Sequence, residues 1–233
     1  MDKLNEKRRD FIIRALGYGI FATGAAGFSL PVSAMSRMIE PLPPGKSIYQ
    51  FNGEVKIDGH SATLETSISN KSVIETGADS NIIFVVGKDA FILRSHGKLE
   101  MQGDKSIVTG LRLVTGKLLS VFGKRLPEER LGITTVVAYI GIRGTGIYLE
   151  SEPNKTYVCT CYGTTEISSI LDKSSKEIVI TEHHDSPRYI LANAEVGKAI
   201  REAPVINHTD IELELIESLV GRSVPFVDDE YSY

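Results

Sequence analysis

The cadence of this chain constrains its fold more than any single motif does. From Ile48 to Ala192, short runs of β-branched and aromatic residues are cut by turn signals at roughly 8–12-residue spacing, with no amphipathic helical stretch between them. In Tyr49–Ile57, Phe51, Val55 and Ile57 alternate, and the run ends at Asp58-Gly59, a dipeptide suited to a tight turn because glycine accepts positive φ at little cost. The next runs are Ile82–Val86, Ala90–Arg94, Ile107–Val114, Lys117–Phe122 and Gly132–Ile142. Ile147–Leu149, Thr156–Tyr162, Thr165–Ile170, Glu177–Thr181 and Arg188–Ala192 complete the series. A chain punctuated this often must close its backbone hydrogen bonds between strands, so the pattern predicts an all-β domain over residues 48–195. Sandwich, barrel and solenoid all satisfy it, and the spacing is too irregular to define a repeat.

The last segment, 196–233, changes period. Thr209-Asp210-Ile211-Glu212 is a capping-box sequence, in which an N-cap Thr and a Glu three residues later satisfy each other's backbone amides. Ile211, Leu215, Ile216, Leu219 and Val220 then fall at helical spacing, Gly221 supplies a left-handed stop, and Pro225 prevents continuation. One short helix near 210–220 is predicted. A helix of that length is marginal alone, so it is expected to pack on the β domain.

The first 34 residues read as an export signal. Lys7-Arg8-Arg9-Asp10-Phe11-Ile12-Ile13-Arg14 gives way to the weakly apolar run LGYGIFATGAAGFSL and then to Pro31-Val32-Ser33-Ala34. A basic start, an apolar signal helix and a small-residue end predict cleavage after Ala34. The paired arginines resemble a twin-arginine (Tat) signal, which implies export of an already folded protein to the periplasm. An uncleaved membrane anchor is the alternative, although Arg14 makes a stable span costly, and membrane contact would then run through this segment only. Residues 35–47, with Pro41, Pro43, Pro44 and Gly45, read as a linker. The signal carries five basic and three acidic residues, so its removal leaves a chain more acidic than the net −4 of the whole. No basic surface or Trp-bearing stacking platform is on offer, which argues against a nucleic-acid partner.

Glu75-Thr76-Gly77-Ala78-Asp79-Ser80, then Leu111-Arg112-Leu113 leading to Gly116, then Ile140-Gly141-Ile142-Arg143-Gly144-Thr145 appear in that order. Over about residues 70–170 this resembles the FecR-domain family, named for a ferric-citrate sensor. The resemblance implies an extracytoplasmic all-β domain, a β-solenoid or sandwich, here with one short C-terminal helix and the N-terminal signal helix. The founding member acts on a sigma factor through a cytoplasmic domain. With ten residues ahead of the apolar run, sigma-factor regulation is not expected to carry over. Gly141, Gly144 and Gly146 are expected to serve tight corners, since a dinucleotide loop needs its glycines to open a helix.

Chemistry concentrates at Cys159-Thr160-Cys161, inside the strand-like run Tyr157–Tyr162. Period-2 alternation puts both sulfurs on one face with their Cα atoms roughly 7 Å apart. That separation is poor for a disulfide, and two neighbouring free thiols in an oxidising compartment call for an occupant. His183 and His184 follow on a predicted loop, and His208 precedes the helix cap as a reserve ligand. Thiolates with imidazoles suit iron, copper or zinc. The resemblance adds that a Cys-x-Cys-Tyr-Gly strand with a later His-His pair is typical of one subgroup of the family. The competing reading has two core cysteines and surface histidines, in a metal-free module or accessory subunit that holds a periplasmic protein or cell-envelope partner. Glu166, Glu182, Asp185 and His183 offer acid–base groups, but no catalytic motif frames them, so no enzymatic activity is expected. His60 and His96, beside glycine turns, are expected to be exposed.

Overall fold

The computed structural model describes residues 40–104, 107–126 and 129–226. The expected signal peptide 1–34, the start of the linker and the last seven residues lie outside them. In chain order the strands are β1 (Ile48–Asn52), β2 (Val55–Ile57), β3 (His60–Ser61), β4 (Val73–Thr76) and β5 (Asn81–Val86). Next come β6 (Asp89–Leu93), β7 (Lys98–Asp104), β8 (Ile107–Val121), β9 (Leu131–Thr134) and β10 (Ala138–Ile142). They are followed by β11 (Gly146–Glu152), β12 (Lys155–Ser169), β13 (Lys176–Thr181), β14 (Arg188–Leu191), β15 (Ile200–Glu202) and the helix α1 (Asp210–Leu219). The expected all-β class with one short C-terminal helix is what forms, and it is realised as two sheets that shared strands join into a closed, barrel-like arrangement through β8-β11-β12-β10-β9-β8.

Sheet A runs β1-β5-β6-β8-β11-β12-β14-β15, and sheet B runs β3-β2-β4-β7-β8-β9-β10-β12-β13. All of these pairings are antiparallel except β8 with β9. Two 15-residue strands, β8 and β12, belong to both sheets. Residues 116–121 of β8 pair in sheet A and 107–115 in sheet B. Residues 155–158 of β12 pair with β14 in sheet A, and 163–168 pair with β13 in sheet B. Each strand bends between the sheets at a glycine with positive φ, Gly116 at 94° and Gly163 at 92°. A Cβ at Gly116 would sit 2.5 Å from the Gly97 Cα, and one at Gly163 would sit 2.7 Å from the Gly144 carbonyl oxygen. Only glycine meets both the dihedral and the space at these corners.

Side chains that point between the sheets make one apolar core. Phe84, Phe91, Leu93, Leu118, Ile147, Leu149 and Val158 come from sheet A; Ile74, Leu99, Leu111, Leu113, Ile133, Ile140 and Ile167 come from sheet B. Phe84 stacks on Phe91 with ring centroids 4.9 Å apart, and Phe122 meets Phe91 edge-on at 5.8 Å. The alternate residues of sheet A, among them Ile92, Leu119, Tyr148, Tyr157 and Cys159, are also buried, beneath α1 and the segment leading to it. This is why β6 is buried at all five positions and reads as a near-continuous apolar run.

The helix starts and stops where its sequence predicts. Glu212 turns its carboxylate back to accept from the Thr209 N–H at 2.9 Å, forming its half of the capping box. At the other end Arg222 N–H reaches Glu217 O at 2.9 Å and Gly221 N–H reaches Ser218 O at 3.0 Å, a Schellman closure. The helix departs from the expected single apolar face, because Glu212, Glu214 and Glu217 are buried along with Leu213, Leu215, Ile216 and Leu219. Two of them have partners from sheet A and from the turn after the helix: Arg94, just past β6, bonds Glu212 at 2.7 Å, Tyr162 of β12 donates to Glu217, and Arg222 pairs with Glu217 at 2.5 Å. The stretch read as a linker is tied down at its described residues: Leu42 N–H donates to Leu219 O at 2.9 Å, Val85 N–H donates to Ser47 O at 2.8 Å, and Lys46 pairs with Glu65.

Candidate metal centre

The outer face of sheet A gathers the two cysteines, the His-His loop and His208. Cys159 stands opposite Tyr148 of β11 in the ladder. Just beyond it the register shifts, with Gly146 opposite Tyr162 and Ile147 opposite Thr160, so Cys161 falls on the bulge. Glycine is needed at 146 because a Cβ there would sit 2.4 Å from the Tyr162 ring. Both cysteines are free of disulfide and wholly buried.

The loop after β13 turns sharply at His184, whose φ is 53° and whose N–H donates to Cys161 O at 2.9 Å. That turn sends the two neighbouring imidazoles different ways. His184 points inward with 11% of its side chain exposed, and His183 points outward with 47% exposed. His184 Nδ1 lies 3.4 Å from Cys159 Sγ. Its Nε2 donates to Asp210 Oδ1 at 2.9 Å, and His183 Nε2 donates to Asp210 Oδ2 at the same distance.

His208 arrives from the C-terminal segment, which the outer face of sheet A clamps in place. The Tyr157 hydroxyl donates to Pro204 O at 2.9 Å and accepts from Ile206 N–H at 3.3 Å. Glu150 accepts from Asn207 Nδ2 and from the Tyr148 hydroxyl, both at 2.7 Å. The His208 ring stacks on Tyr148 at 4.5 Å and donates from Nδ1 to Ile206 O at 2.7 Å. Its Nε2 is thereby aimed at His184 Nδ1, 3.0 Å away.

Cys159, Cys161, His184 and His208 thus bring one donor atom each to a cluster in which all four atoms lie within 4.8 Å of one another. A tetrahedral ion with ordinary metal–sulfur and metal–nitrogen bonds needs donor separations of about 3.3–3.8 Å. The 3.4 Å and 3.0 Å contacts around His184 Nδ1 are close to that range. The remaining nitrogen of each inward imidazole is held by an oxygen acceptor, which fixes its tautomer as in metal-bound histidines. Of the residues expected from the sequence, His183 alone stays out of the donor cluster, because the chain reversal at His184 turns it to Asp210. His60 and His96 are exposed, as expected.

The cluster polarises its own thiols. The Cys161 thiol beside Cys159, joined by His184 and His208, holds the Cys159 thiol down to about 3 in spite of its burial. Burial and the neighbouring Cys159 sulfur push the Cys161 thiol well up. Burial works against the charge on His184, but Asp210 and Cys159 outweigh it and raise that imidazole to about 9. Asp210 is held below the ordinary carboxylate range, with burial opposing and His184 and His183 prevailing.

In the sequence Asp210 reads only as part of a helix cap, not as the carboxylate behind two histidines. Its signal was present, since an acid two residues after His208 opens the helix whose N-terminus faces the site. Tyr148 and Tyr157, which seat His208, carried no signal beyond their place in apolar strand runs.

Fold and site together define an all-β, two-sheet protein with a buried pair of thiols and a pair of imidazoles on one sheet. No protein-family model matches the chain, and no curated protein matches it. Among solved structures, two crystal structures of a candidate anti-sigma factor from Parabacteroides distasonis are similar. Their TM-scores are 0.45 and 0.46, with identities of 11% and 10%. Each similarity covers 56% of this chain and 58% of the other, so this chain spans under two thirds of the structures it is similar to. At that level the likeness assigns no function.

Proposed function

We propose that this is an exported, FecR-domain-like protein of the periplasm that binds one thiophilic metal ion through Cys159 Sγ, Cys161 Sγ, His184 Nδ1 and His208 Nε2. The observation that carries the reading is the convergence of these four donors, from a strand, a loop and the C-terminal segment, within 4.8 Å of one another. Two thiolates and two imidazoles suit zinc, iron or copper. Four protein ligands leave no open position for a substrate, so the ion is structural or sensory and the protein is not a metal-dependent hydrolase. Its mechanical role follows from the ligands' positions. The ion staples the C-terminal segment, and with it α1, to the outer face of sheet A.

Elemental analysis of protein purified from the periplasm tests this. Close to one ion per chain is expected, and a Cys159→Ser/Cys161→Ser variant should contain almost none. Equal metal content in the two would overturn the reading. Cobalt(II) added to the metal-free protein should give the intense visible bands of a tetrahedral thiolate site, and a pale octahedral spectrum would count against the ligand set.

A further inference from the structure

The two sheets end in four edge strands, and three of them are blunted. β3 has two residues, β15 has three and exposes Arg201 and Glu202, and β1 carries a register shift between Ile48 and Gln50. Short, charged or irregular edges resist pairing with another chain. β13 is neither short nor irregular, and its exposed charge, Lys176, sits at the end of the strand. It is six residues long, keeps an unbroken register from Thr181 opposite Gly163 to Lys176 opposite Ser168, and contains no proline. Among the described residues its only ladder partner is β12.

The outer face of β13 is also apolar where an edge is normally polar. Ile178 is 64% exposed and Ile180 is 75% exposed. Lys176 flanks them on one side and Glu182, one residue past the strand, on the other, and both are exposed. The inward residue Val179 is in the core, and Glu177 is engaged by Arg188 of β14 at 2.7 Å. The outward stripe therefore reads Lys-Ile-Ile-Glu.

That stripe is self-complementary. We infer that a second copy of this chain pairs antiparallel along β13, about a two-fold axis at Val179. In this register Lys176 of each chain faces Glu182 of the other, and Ile178 faces Ile180. Directly opposed residues on one sheet face are close enough to interact, so two ion pairs bracket two apolar pairs. Both ladders gain the backbone partners that β13 lacks, and sheet B continues across the two-fold as one sheet. An isologous contact of this kind closes on itself and does not propagate into a fibre.

Analytical ultracentrifugation of the full chain over the micromolar range tests the pairing. A concentration-dependent dimer is expected, and Ile178→Lys/Ile180→Lys should raise its dissociation constant by at least about tenfold by removing both apolar pairs. Lys176→Glu alone and Glu182→Lys alone should each weaken the dimer by setting like charges face to face. The double variant Lys176→Glu/Glu182→Lys should restore it. Every substituted side chain is exposed, so thermal melts should match the parent and show that each variant folds. A monomer throughout the range, a dimer indifferent to Ile178→Lys/Ile180→Lys, or a charge swap that fails to restore pairing would overturn the inference. Metal content should be unchanged in all four variants, which keeps this test separate from that of the metal site.

Discussion

The two faces of sheet A are both buried, yet they are filled by different chemistry. Between the sheets lie Phe84, Phe91, Leu118, Ile147 and Val158, with few polar atoms to satisfy. On the other face, under α1 and the segment leading to it, lie Tyr148, Tyr157, Cys159 and Cys161, with His208 of that segment and Glu212, Glu214 and Glu217 of the helix. The first interior needs apolar side chains of about the right volume, and hydrophobic swaps that conserve volume cost it little. The second is a polar network in which removing one member strands another, so its residues are specified individually. The apolar layer holds the sandwich together, and the polar layer decides where the C-terminal segment goes.

The comparison can be broken from either side. The largest effect is expected from Cys159→Ser/Cys161→Ser, which would remove whatever stability an ion at the proposed site supplies to the C-terminal segment. Thermal denaturation with and without chelator should show a large metal-dependent shift in the parent and none in the variant. Phe91→Ala attacks the other face and should cost about 3–5 kcal/mol by opening a cavity between the sheets. Its metal stoichiometry should nevertheless stay at the parent value, as elemental analysis of the folded fraction would reveal.

Acid should act on the polar layer first. The metal-free protein holds a proton on His184 at every pH below about 9, and the raised Cys161 thiol holds another through the neutral range. An ion must displace both, so affinity falls as pH falls, by about a hundredfold per unit when close to two protons leave per ion. Calorimetry in buffers of different ionisation enthalpy would count those protons, and a pH-independent affinity would remove His184 and Cys161 from the ligand set. The smallest effect is expected from Asp210→Asn, which keeps the ligands but weakens the grip on His184 and His183. A loss of about 10–100-fold in metal affinity is expected, measured by competition with a chromophoric chelator.

The same contrast explains what the sequence could say in advance. Period-2 runs named the strands that fill the inter-sheet core, because that layer asks only for alternation. They did not show that Ile107–Val114 and Lys117–Phe122 are one strand, nor that Thr156–Tyr162 and Thr165–Ile170 are another, since Gly116 and Gly163 read locally as stops. Both glycines bend a strand that continues into the other sheet. Tyr49–Ile57 and Gly132–Ile142 failed the opposite way, each dividing into two strands. β7 went unread because Lys98–Asp104 offers only Leu99 and Met101 to the core and no β-branched residue. At the site, the cysteine spacing and the nearby histidines were legible as ligand types. The division of labour between His183 and His184 was not, because it rests on one left-handed residue in a loop. The role of Asp210 depends on a contact across more than twenty residues of chain, which no local pattern encodes.

The passage of β8 and β12 through both sheets also governs how this molecule can come apart. A sandwich joined only by loops can slide one sheet across the other, whereas here such a slide would have to straighten two bends at once. The outer seam, where residues 204–219 cover one face of sheet A, crosses no shared strand and is the place where local opening is expected first. An ion held across that seam acts as a latch. If the proposed site holds one, its loss would be expected to free that segment before the core opens.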